Sequence, residues 1–176
     1  MLDKNKSKVN IPLCFCIGIL IAFFAKTFLL DFYKVKGSSM EEAIMDGQTI
    51  AANKIAYGLQ NPFRPEILFS WKKPKEGDVI LYMYQNYWVV KRCAATEGTK
   101  LECVEEDGKY FLLAGKNKIP LTSIQFHKIR TSEKVPMGSL LAIGDNAALS
   151  HDSRDYGFVP VKNIVARIIL PIIVKK

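Results

Sequence analysis

An apolar segment near the N-terminus constrains this chain more than any other feature. Residues 11–30 are apolar except for Lys26 and Thr27. As an α-helix, twenty residues extend about 30 Å, which is the thickness of the hydrocarbon core of a bilayer. Lysines at positions 4, 6 and 8 precede the segment, and basic residues beside a membrane helix favour the cytoplasmic side. The segment therefore predicts a transmembrane helix with its N-terminus inside.

Two other interpretations of this segment are disfavoured. A cleaved signal peptide needs small residues at positions −3 and −1, but a cut after Ala25 puts Phe23 at −3 and a cut after Ala22 puts Leu20 there. A helix that is apolar on every face is also hard to bury in so small a domain. An uncleaved signal-anchor remains. We expect a basic cytoplasmic N-terminus at 1–10, the transmembrane anchor at 11–30 and an extracytoplasmic domain at 31–176.

The residues after the anchor have the composition of an all-β domain. Short runs rich in Val, Ile, Tyr and Leu are bounded by Gly, Pro, Asn and Asp, which is typical of strands and turns. These runs are 49–52, 78–84, 87–93, 110–113, 139–143 and 164–173. Gln85 and Asn86 separate two of them by the length of a tight hairpin turn. We therefore expect a mainly β domain.

Charge and cysteine content narrow the possible partners. The formal charge of +8 is spread without a dense Lys/Arg face, so we expect no nucleic acid and favour an anionic lipid bilayer. Cys93 and Cys103 could form a disulfide in an oxidising compartment, and the sequence leaves this open. No Cys/His group has the spacing of a zinc site. We expect neither metal nor cofactor.

A turn of small residues, 36–40, presents Ser39 just after the anchor. A serine is a weak nucleophile without a neighbouring base, and such a tripeptide alone is more typical of a turn. Lys91 offers the base. In a strand it projects to the same face as Val89 and Cys93, and apolar neighbours lower the pKa of a lysine until its neutral amine accepts a proton near neutral pH.

A third stretch carries a resemblance to a known family. Residues 144–160 closely resemble the Gly-Asp-Asn…Ser-x-Asp-Ser-Arg…Gly-x-Val box of bacterial type I signal peptidases. Other family motifs resemble residues 28–40, 54–58, 74–81 and 87–92. The similarity covers most of residues 20–172, with 59–70 and 101–138 matching only loosely. It implies a monomeric catalytic domain of bent antiparallel sheets that form a partly open barrel.

The resemblance also implies a function. Ser39 matches the nucleophile and Lys91 the general base of a Ser-Lys endopeptidase, which removes signal peptides from exported preproteins at the bacterial cytoplasmic membrane. The backbone N–H of Ser39 matches one oxyanion donor. Gly37 stands where many relatives have the serine that supplies the second donor, so the second donor is open.

Further positions match supporting and substrate-binding residues. Ser150 matches the hydroxyl that orients the lysine, and Asp152 and Arg154 match an ion pair that braces the site. The turn that shapes its wall matches Gly144, Asp145 and Asn146. The positions that line shallow apolar pockets in the family, which admit only small side chains, are matched here by Val35, Met40, Ile44 and Val90. Such pockets would read a small-x-small sequence in a peptide bound as an added strand.

Departures from the family pattern surround Ser39. The usual x-Pro-Thr-Leu after the Ser-Met pair is replaced by residues 41–44, Glu-Glu-Ala-Ile, and a later Gly-Asp by Gly47 and Gln48. A catalytically weak homologue that binds exported proteins as an assembly factor is therefore the alternative hypothesis. A self-cleaving Ser-Lys regulator of the repressor type is disfavoured by the anchor. Consecutive residues 150–152 do not predict a Ser-His-Asp triad, and we expect His151 to be incidental.

Overall fold

The apolar segment forms a helix that leads directly into a strand. The computed structural model of the chain describes residues 10–61, 64 and 67–169. Helix α1, Ile11–Phe24, continues as a π-helical turn, Ala25–Leu29, and strand β1 starts at Leu30. The helical part has a mean hydropathy of 2.2, and no residue of α1 is buried. Such a helix fits a membrane-anchored protein, and it ends one residue before the expected limit.

Twelve strands make up most of the remaining structure described. Their bounds are β1 Leu30–Lys34, β2 Thr49–Asn53, β3 Gly58–Gln60, β4 Ile67–Ser70, β5 Val79–Tyr84, β6 Tyr87–Thr96, β7 Leu101–Glu106, β8 Lys109–Ala114, β9 Asn117–Leu121, β10 Ser139–Ile143, β11 Val159–Pro160 and β12 Ile164–Ile169. Two short helices, α2 Ser123–Ile129 and α3 Ser153–Tyr156, and a 3₁₀ turn, Val161–Asn163, complete the elements.

The strands form one large antiparallel sheet and two small ones. The large sheet has seven strands in the order β1-β2-β12-β5-β6-β10-β11, and the small sheets are β3-β4 and β7-β8-β9. Within the described residues, β1 and β11 are the free edges of the large sheet and do not pair with each other. The domain is therefore mainly β with antiparallel sheets, as expected, and the large sheet is open rather than closed into a barrel.

Every strand expected within the described residues is confirmed, with ends that shift by up to three residues. The last expected strand ends at Ile169, and its remainder, 170–173, lies outside the described residues. The hairpin turn between β5 and β6 is confirmed as well. Gln85 and Asn86 have φ of 46° and 66°, which is the pattern of the type I′ turn that suits the twist of two antiparallel strands.

Both faces of β5 are buried, and this places the core on the two sides of the large sheet. Val79 and Leu81 pack in one cluster with the loop that follows β1, while Ile80 and Tyr82 pack in another with β10. The alternation is what a strand covered on both faces requires. Cys93 is buried, Cys103 is half-buried, and both are free thiols in the structure.

Candidate active site

Ser39 and Lys91 meet where the loop after β1 contacts β6 of the large sheet. Ser39 lies in the loop between β1 and β2, and Lys91 lies in the middle of β6. The Lys91 Nζ atom donates a hydrogen bond to Ser39 Oγ over 2.6 Å. Only 3% of Lys91 is exposed. The structure thus brings together the two residues that the sequence singles out for the reaction.

The surroundings of Lys91 favour its neutral amine. Desolvation by burial lowers the pKa of Lys91 below its ordinary value of 10.5. Three charges nearby act in different directions, because the carboxylates of Asp152 and Asp145 raise the pKa while the guanidinium of Arg154 lowers it. Desolvation is the largest of these effects. A neutral amine that already contacts a hydroxyl is placed to take its proton.

Apolar side chains hold the loop that carries Ser39. Met40 and Ile44 are almost fully buried in the cluster with Ile50 and Leu81, and the Ile44 N–H donates to the Met40 carbonyl over 2.8 Å. Because Met40 follows Ser39 directly, its burial fixes the backbone on the C-terminal side of Ser39.

Asp46 holds the other side of this loop. Its Oδ1 accepts a hydrogen bond of 2.7 Å from the Gly37 N–H, and Gly37 has a φ of +95° that a side chain would rarely adopt. Glu42, within the segment that departs from the family pattern, also has a positive φ, of 105°. Gln48 Oε1 accepts from the Met45 N–H over 2.8 Å. Side-chain acceptors therefore support a turn whose backbone is unusual at two positions.

The turn after β10 forms one wall of the site. The Asn146 N–H donates to the Ser39 carbonyl over 3.1 Å. A Cβ atom on Gly144 would lie 2.2 Å from Ser150 Oγ and 2.5 Å from the Ser39 carbonyl oxygen. A glycine is required here because the loop of Ser39 approaches the backbone so closely.

Asp152 and Arg154 form the ion pair expected from the sequence. Both are buried, and Arg154 donates to Asp152 from Nε over 2.9 Å and from a terminal nitrogen over 2.8 Å. Asp152 also accepts from the Gly144 N–H over 3.0 Å. Desolvation by itself raises the pKa of Asp152, but these hydrogen bonds outweigh it and hold the pKa below 3.8. The charged pair is therefore satisfied inside the protein.

Ser150 belongs to the same network. Its hydroxyl donates to Asp152 Oδ2 over 2.6 Å. Its Oγ lies beside Gly144, close to the carbonyl oxygen of Ser39. The role of Ser150 in orienting Lys91 stays a prediction, since the described hydrogen bond of its hydroxyl is with Asp152.

Asp145 has a partner that the sequence did not reveal. Its two carboxylate oxygens accept from Arg92 Nε and from a terminal nitrogen of Arg92 over 2.8 and 2.7 Å. Arg92 follows Lys91 in β6 and so projects to the opposite face. The pair therefore ties the wall turn to the strand that carries the lysine. The sequence signal was the adjacent Lys91-Arg92 pair, since alternation along a strand puts the two basic groups on opposite faces.

An open cavity of ≈ 620 Å³ lies over Ser39 and Lys91. Three of the expected substrate-binding residues, Val35, Met40 and Val90, line it. Ile44 is not among its lining residues, because it is fully buried behind Met40 in the core cluster. Lining residues that the sequence did not suggest include Tyr33, Leu81, Tyr84, Trp88, Leu149 and Tyr156.

His151 also lines this cavity, although the sequence suggested that it is incidental. Its Nδ1 lies 3.3 Å from Asp155 Oδ2, and its ring centroid is 5.3 Å from that of Tyr156. Ser150 instead bonds to Asp152. Residues 150–152 thus form no Ser-His-Asp triad, in agreement with the expectation from the sequence.

Comparisons with known proteins place the chain in a family. A family model described as "Signal peptidase, peptidase S26" matches residues 9–173. A signal peptidase I of Buchnera aphidicola subsp. Baizongia pistaciae is 28% identical over 101 residues, which are 56% of this chain and 33% of the relative. A signal peptidase I of Buchnera aphidicola subsp. Acyrthosiphon pisum is 23% identical over a 239-residue alignment, with 95% and 76% covered.

Two further matches come from Staphylococcus aureus and Enterococcus faecalis. Signal peptidase IB of Staphylococcus aureus is 26% identical over 171 residues, which cover 86% of this chain and 82% of the relative. A crystal structure of a signal peptidase I from Enterococcus faecalis V583 aligns with a TM-score of 0.40 and 23% identity, over 57% of this chain and 100% of that one. Since the family model spans nearly the whole sequence, the chain belongs to the signal peptidase family, peptidase S26.

Proposed function

We propose that this protein is a membrane-anchored serine endopeptidase that removes signal peptides from exported preproteins after a small-x-small sequence. Ser39 is the nucleophile and Lys91 is the general base. The observation that carries the proposal is the 2.6 Å hydrogen bond between Lys91 Nζ and Ser39 Oγ, with the lysine almost fully buried. Family membership supports the coarser statement, a signal peptidase.

Acylation follows from this contact. The neutral amine of Lys91 takes the proton of the Ser39 hydroxyl while Oγ attacks the scissile carbonyl carbon. Its oxygen then carries the negative charge, and the Ser39 N–H is a donor placed to stabilise it. The protonated Lys91 next gives its proton to the leaving nitrogen as the C–N bond breaks. The mature protein leaves with a new amino terminus, and the signal peptide stays as an ester on Ser39.

Deacylation uses the same two residues in reverse. Lys91, neutral again, takes a proton from a water molecule that attacks the ester carbonyl, and then returns that proton to Ser39 Oγ. The Asp152–Arg154 pair beside the lysine supplies two charges of opposite sign, which shift the pKa of Lys91 in opposite directions. Arg154 thus opposes the carboxylate of Asp152, which without it would favour the ammonium form more strongly, and desolvation keeps the pKa lowered.

The apolar cavity supports a preference for small side chains. Val35, Met40 and Val90 line it, so a peptide that reaches Ser39 lies against branched and bulky residues. Peptides with small residues at −3 and −1 fit such a surface with less displacement than larger ones. Ile44 acts behind this surface by holding Met40 in place.

The anchor gives the enzyme its place in the cell. We propose a single-pass protein of the bacterial cytoplasmic membrane, with the basic N-terminus inside and the catalytic domain on the outer side. The support is the helical segment Ile11–Leu29 and the lysines that precede it. The scissile bond of a preprotein emerges from the membrane on that outer side.

The deciding experiment is cleavage of a preprotein with Ala at −3 and −1 by the purified full chain in liposomes. Wild type is compared with Ser39→Ala and Lys91→Met, and with two distant controls, Ser123→Ala and Lys109→Met. We expect cleavage after −1 by wild type and both controls, and none by the two site variants. Binding of the preprotein without turnover, by folded wild type and over a broad pH range, would instead support the non-catalytic assembly factor.

A further inference from the structure

We propose that Lys54 is a positioning residue that fixes the catalytic domain on the anchor helix and thereby sets how a membrane-embedded preprotein reaches Ser39. The inference rests on the proposed function, since it assigns a role in the cleavage of membrane-bound substrates. Lys54 does not line the cavity over Ser39 and Lys91.

Two hydrogen bonds from one residue join the body of the protein to the end of the helix. Lys54 Nζ donates to the Thr27 carbonyl over 2.7 Å, and the Lys54 backbone N–H donates to the Leu29 carbonyl over 2.9 Å. Lys54 is half-buried and follows directly after the end of β2. One residue therefore donates hydrogen bonds to two carbonyl groups of the last helical turn.

The chemistry of a helix end explains why a lysine suits this place. The last carbonyl groups of a helix have no partner within it, and they form the negative end of the helix dipole. Thr27 and Leu29 lie in the π-helical turn where the helix passes into β1. An ammonium group satisfies one such carbonyl and also complements the dipole. A methionine of similar length would do neither.

The orientation of the helix depends on these two hydrogen bonds from Lys54, which we call the joint. No residue of α1 is buried, so the body of the protein gives that helix no packing surface. At the far end of the helix the N-cap Asn10 accepts from the Leu13 N–H over 3.4 Å. Among the described residues after the helix, Lys54 is the one whose side chain hydrogen-bonds to positions 11–29. A covalent connection alone lets a helix pivot, whereas a second attachment restricts its angle.

The angle matters because the loop of Ser39 is attached to the same strand. β1 runs from Leu30 to Lys34 and leads into the loop that carries Ser39. Five residues of strand extend about 17 Å, so a pivot at Leu29 moves Ser39 over the membrane by several ångströms. A misplacement of about 1 Å can lower a rate by about 100-fold. A substrate held in the bilayer would suffer from this misplacement, while a freely diffusing peptide would not.

The experiment compares two substrates with the same cleavage sequence, a preprotein inserted in liposomes and a short soluble peptide. The variants are Lys54→Met, which keeps the length and loses the donor, Lys54→Arg, which keeps a donor, and Lys72→Met as an exposed control. We expect Lys54→Met to lower preprotein cleavage about 10-fold or more and peptide cleavage less than 2-fold. Lys54→Arg restores preprotein cleavage, and the control has no effect.

If Lys54→Met lowered cleavage of both substrates equally, Lys54 would have only a structural role and the proposal would be overturned. No loss of cleavage on either substrate would also overturn it. If wild type cleaves neither substrate, the proposed function fails, and a second measurement tests the joint by itself. Trp71 and Trp88 report the depth of the body through quenching by brominated lipids. We expect Lys54→Met to alter that quenching and Lys54→Arg to leave it unchanged. Quenching identical to wild type in Lys54→Met would overturn the proposed joint.

Discussion

Lys91 Nζ lies 2.6 Å from Ser39 Oγ although the two residues are 52 positions apart in the sequence. The contact arises from two independent features of the fold. The alternation of side chains along β6 turns Lys91 inward, and the burial of Met40 fixes the loop that presents Ser39. The amine and the hydroxyl meet because the loop of Ser39 packs, through Met40, against the sheet that contains β6.

The rate of cleavage should follow the deprotonation of Lys91. Desolvation lowers the pKa of this lysine below 10.5, and only the neutral amine accepts a proton. We expect kcat/KM to rise with pH, to reach half its maximum at a pH below 10.5 and to level off above that midpoint. The measurement is a pH profile of peptide cleavage with wild type. Lys91→Arg should be inactive at every pH, because a guanidinium does not lose its proton. A profile with an unchanged midpoint in an active Lys91 variant would assign the base to another group.

The burial of Lys91 should also lower the free energy of unfolding. Because the pKa of Lys91 is lower in the folded chain than in the unfolded chain, the unfolded chain binds more protons between the folded pKa and 10.5. The free energy of unfolding therefore rises with pH between the folded pKa and 10.5. Below the folded pKa, the destabilisation by the buried Lys91 ammonium is complete. We expect Lys91→Met to be more stable than wild type near neutral pH, by about 1 kcal/mol or ~2–4 °C in the unfolding midpoint. The gain should vanish towards pH 10.5.

Thermal unfolding in detergent, followed by circular dichroism at several pH values, measures this difference. Lys109→Met, an exposed substitution of the same kind, is the control and should show no such pH dependence. A Lys91→Met variant that is less stable than wild type at neutral pH would mean that the hydrogen bond to Ser39 outweighs the desolvation of the amine.

Much of this arrangement could be predicted from the sequence, for reasons visible in particular residues. The strands are dense in branched and aromatic side chains and are bounded by turn formers, so β5, β6 and β10 were identifiable. The match of residues 144–160 to a family box indicated the Asp152–Arg154 pair. Features of this kind can be predicted because each of them is determined by one short stretch of sequence.

Other features depend on contacts that no local pattern reveals. Strand β1 was not predicted at all, because Leu30 continues the apolar run of the helix and hydropathy does not mark the change. Ile44 was assigned to the substrate pocket, but the turn buries it behind Met40. The Arg92–Asp145 pair joins residues 53 positions apart. Strand β9 contains Pro120, which weakens the strand signal.

Removing Arg154 should affect both stability and the pH profile. Arg154→Leu leaves the carboxylate of Asp152 buried without its partner, which costs about 3–5 kcal/mol. It also removes a positive charge that lowers the pKa of Lys91 and leaves the negative charge that raises it. We expect a lower unfolding midpoint and a pH–rate profile displaced to higher pH. Arg130→Leu, at an exposed position, should change neither.

The double variant Asp152→Asn with Arg154→Leu separates the two effects. With both charges gone, no unpaired carboxylate is left in the interior, so the double variant should be more stable than Arg154→Leu alone. The displacement of the pH–rate profile should also disappear. A double variant with losses equal to the sum of the single ones would mean that the two residues act independently.

Gly144 should tolerate no side chain. A Cβ atom there would lie 2.2 Å from Ser150 Oγ and 2.5 Å from the Ser39 carbonyl oxygen, so the wall turn or the loop of Ser39 must move. We expect Gly144→Ala to lower kcat about 100-fold or more, on the scale of a displacement of about 1 Å. Gly108→Asn, in a distant hairpin with a φ of +71°, is a control that Asn tolerates. Full activity in Gly144→Ala would show that the loop of Ser39 adapts freely.

Asp46 should determine how well the turn around Ser39 is held. Its carboxylate accepts the Gly37 N–H over 2.7 Å, in a loop where Glu42 has a φ of 105° and the usual proline is missing. The hydrogen bond is exposed, and an ordinary hydrogen bond contributes about 0.5–1.5 kcal/mol. Asp46→Ala should therefore lower kcat about 2- to 10-fold with KM nearly unchanged, because the substrate surface is intact. Asp46→Asn keeps an acceptor oxygen and should retain most of the activity. Glu105→Ala, another exposed acid, is the control. If Asp46→Ala instead raised KM alone, the loop would serve substrate binding rather than the placement of Ser39.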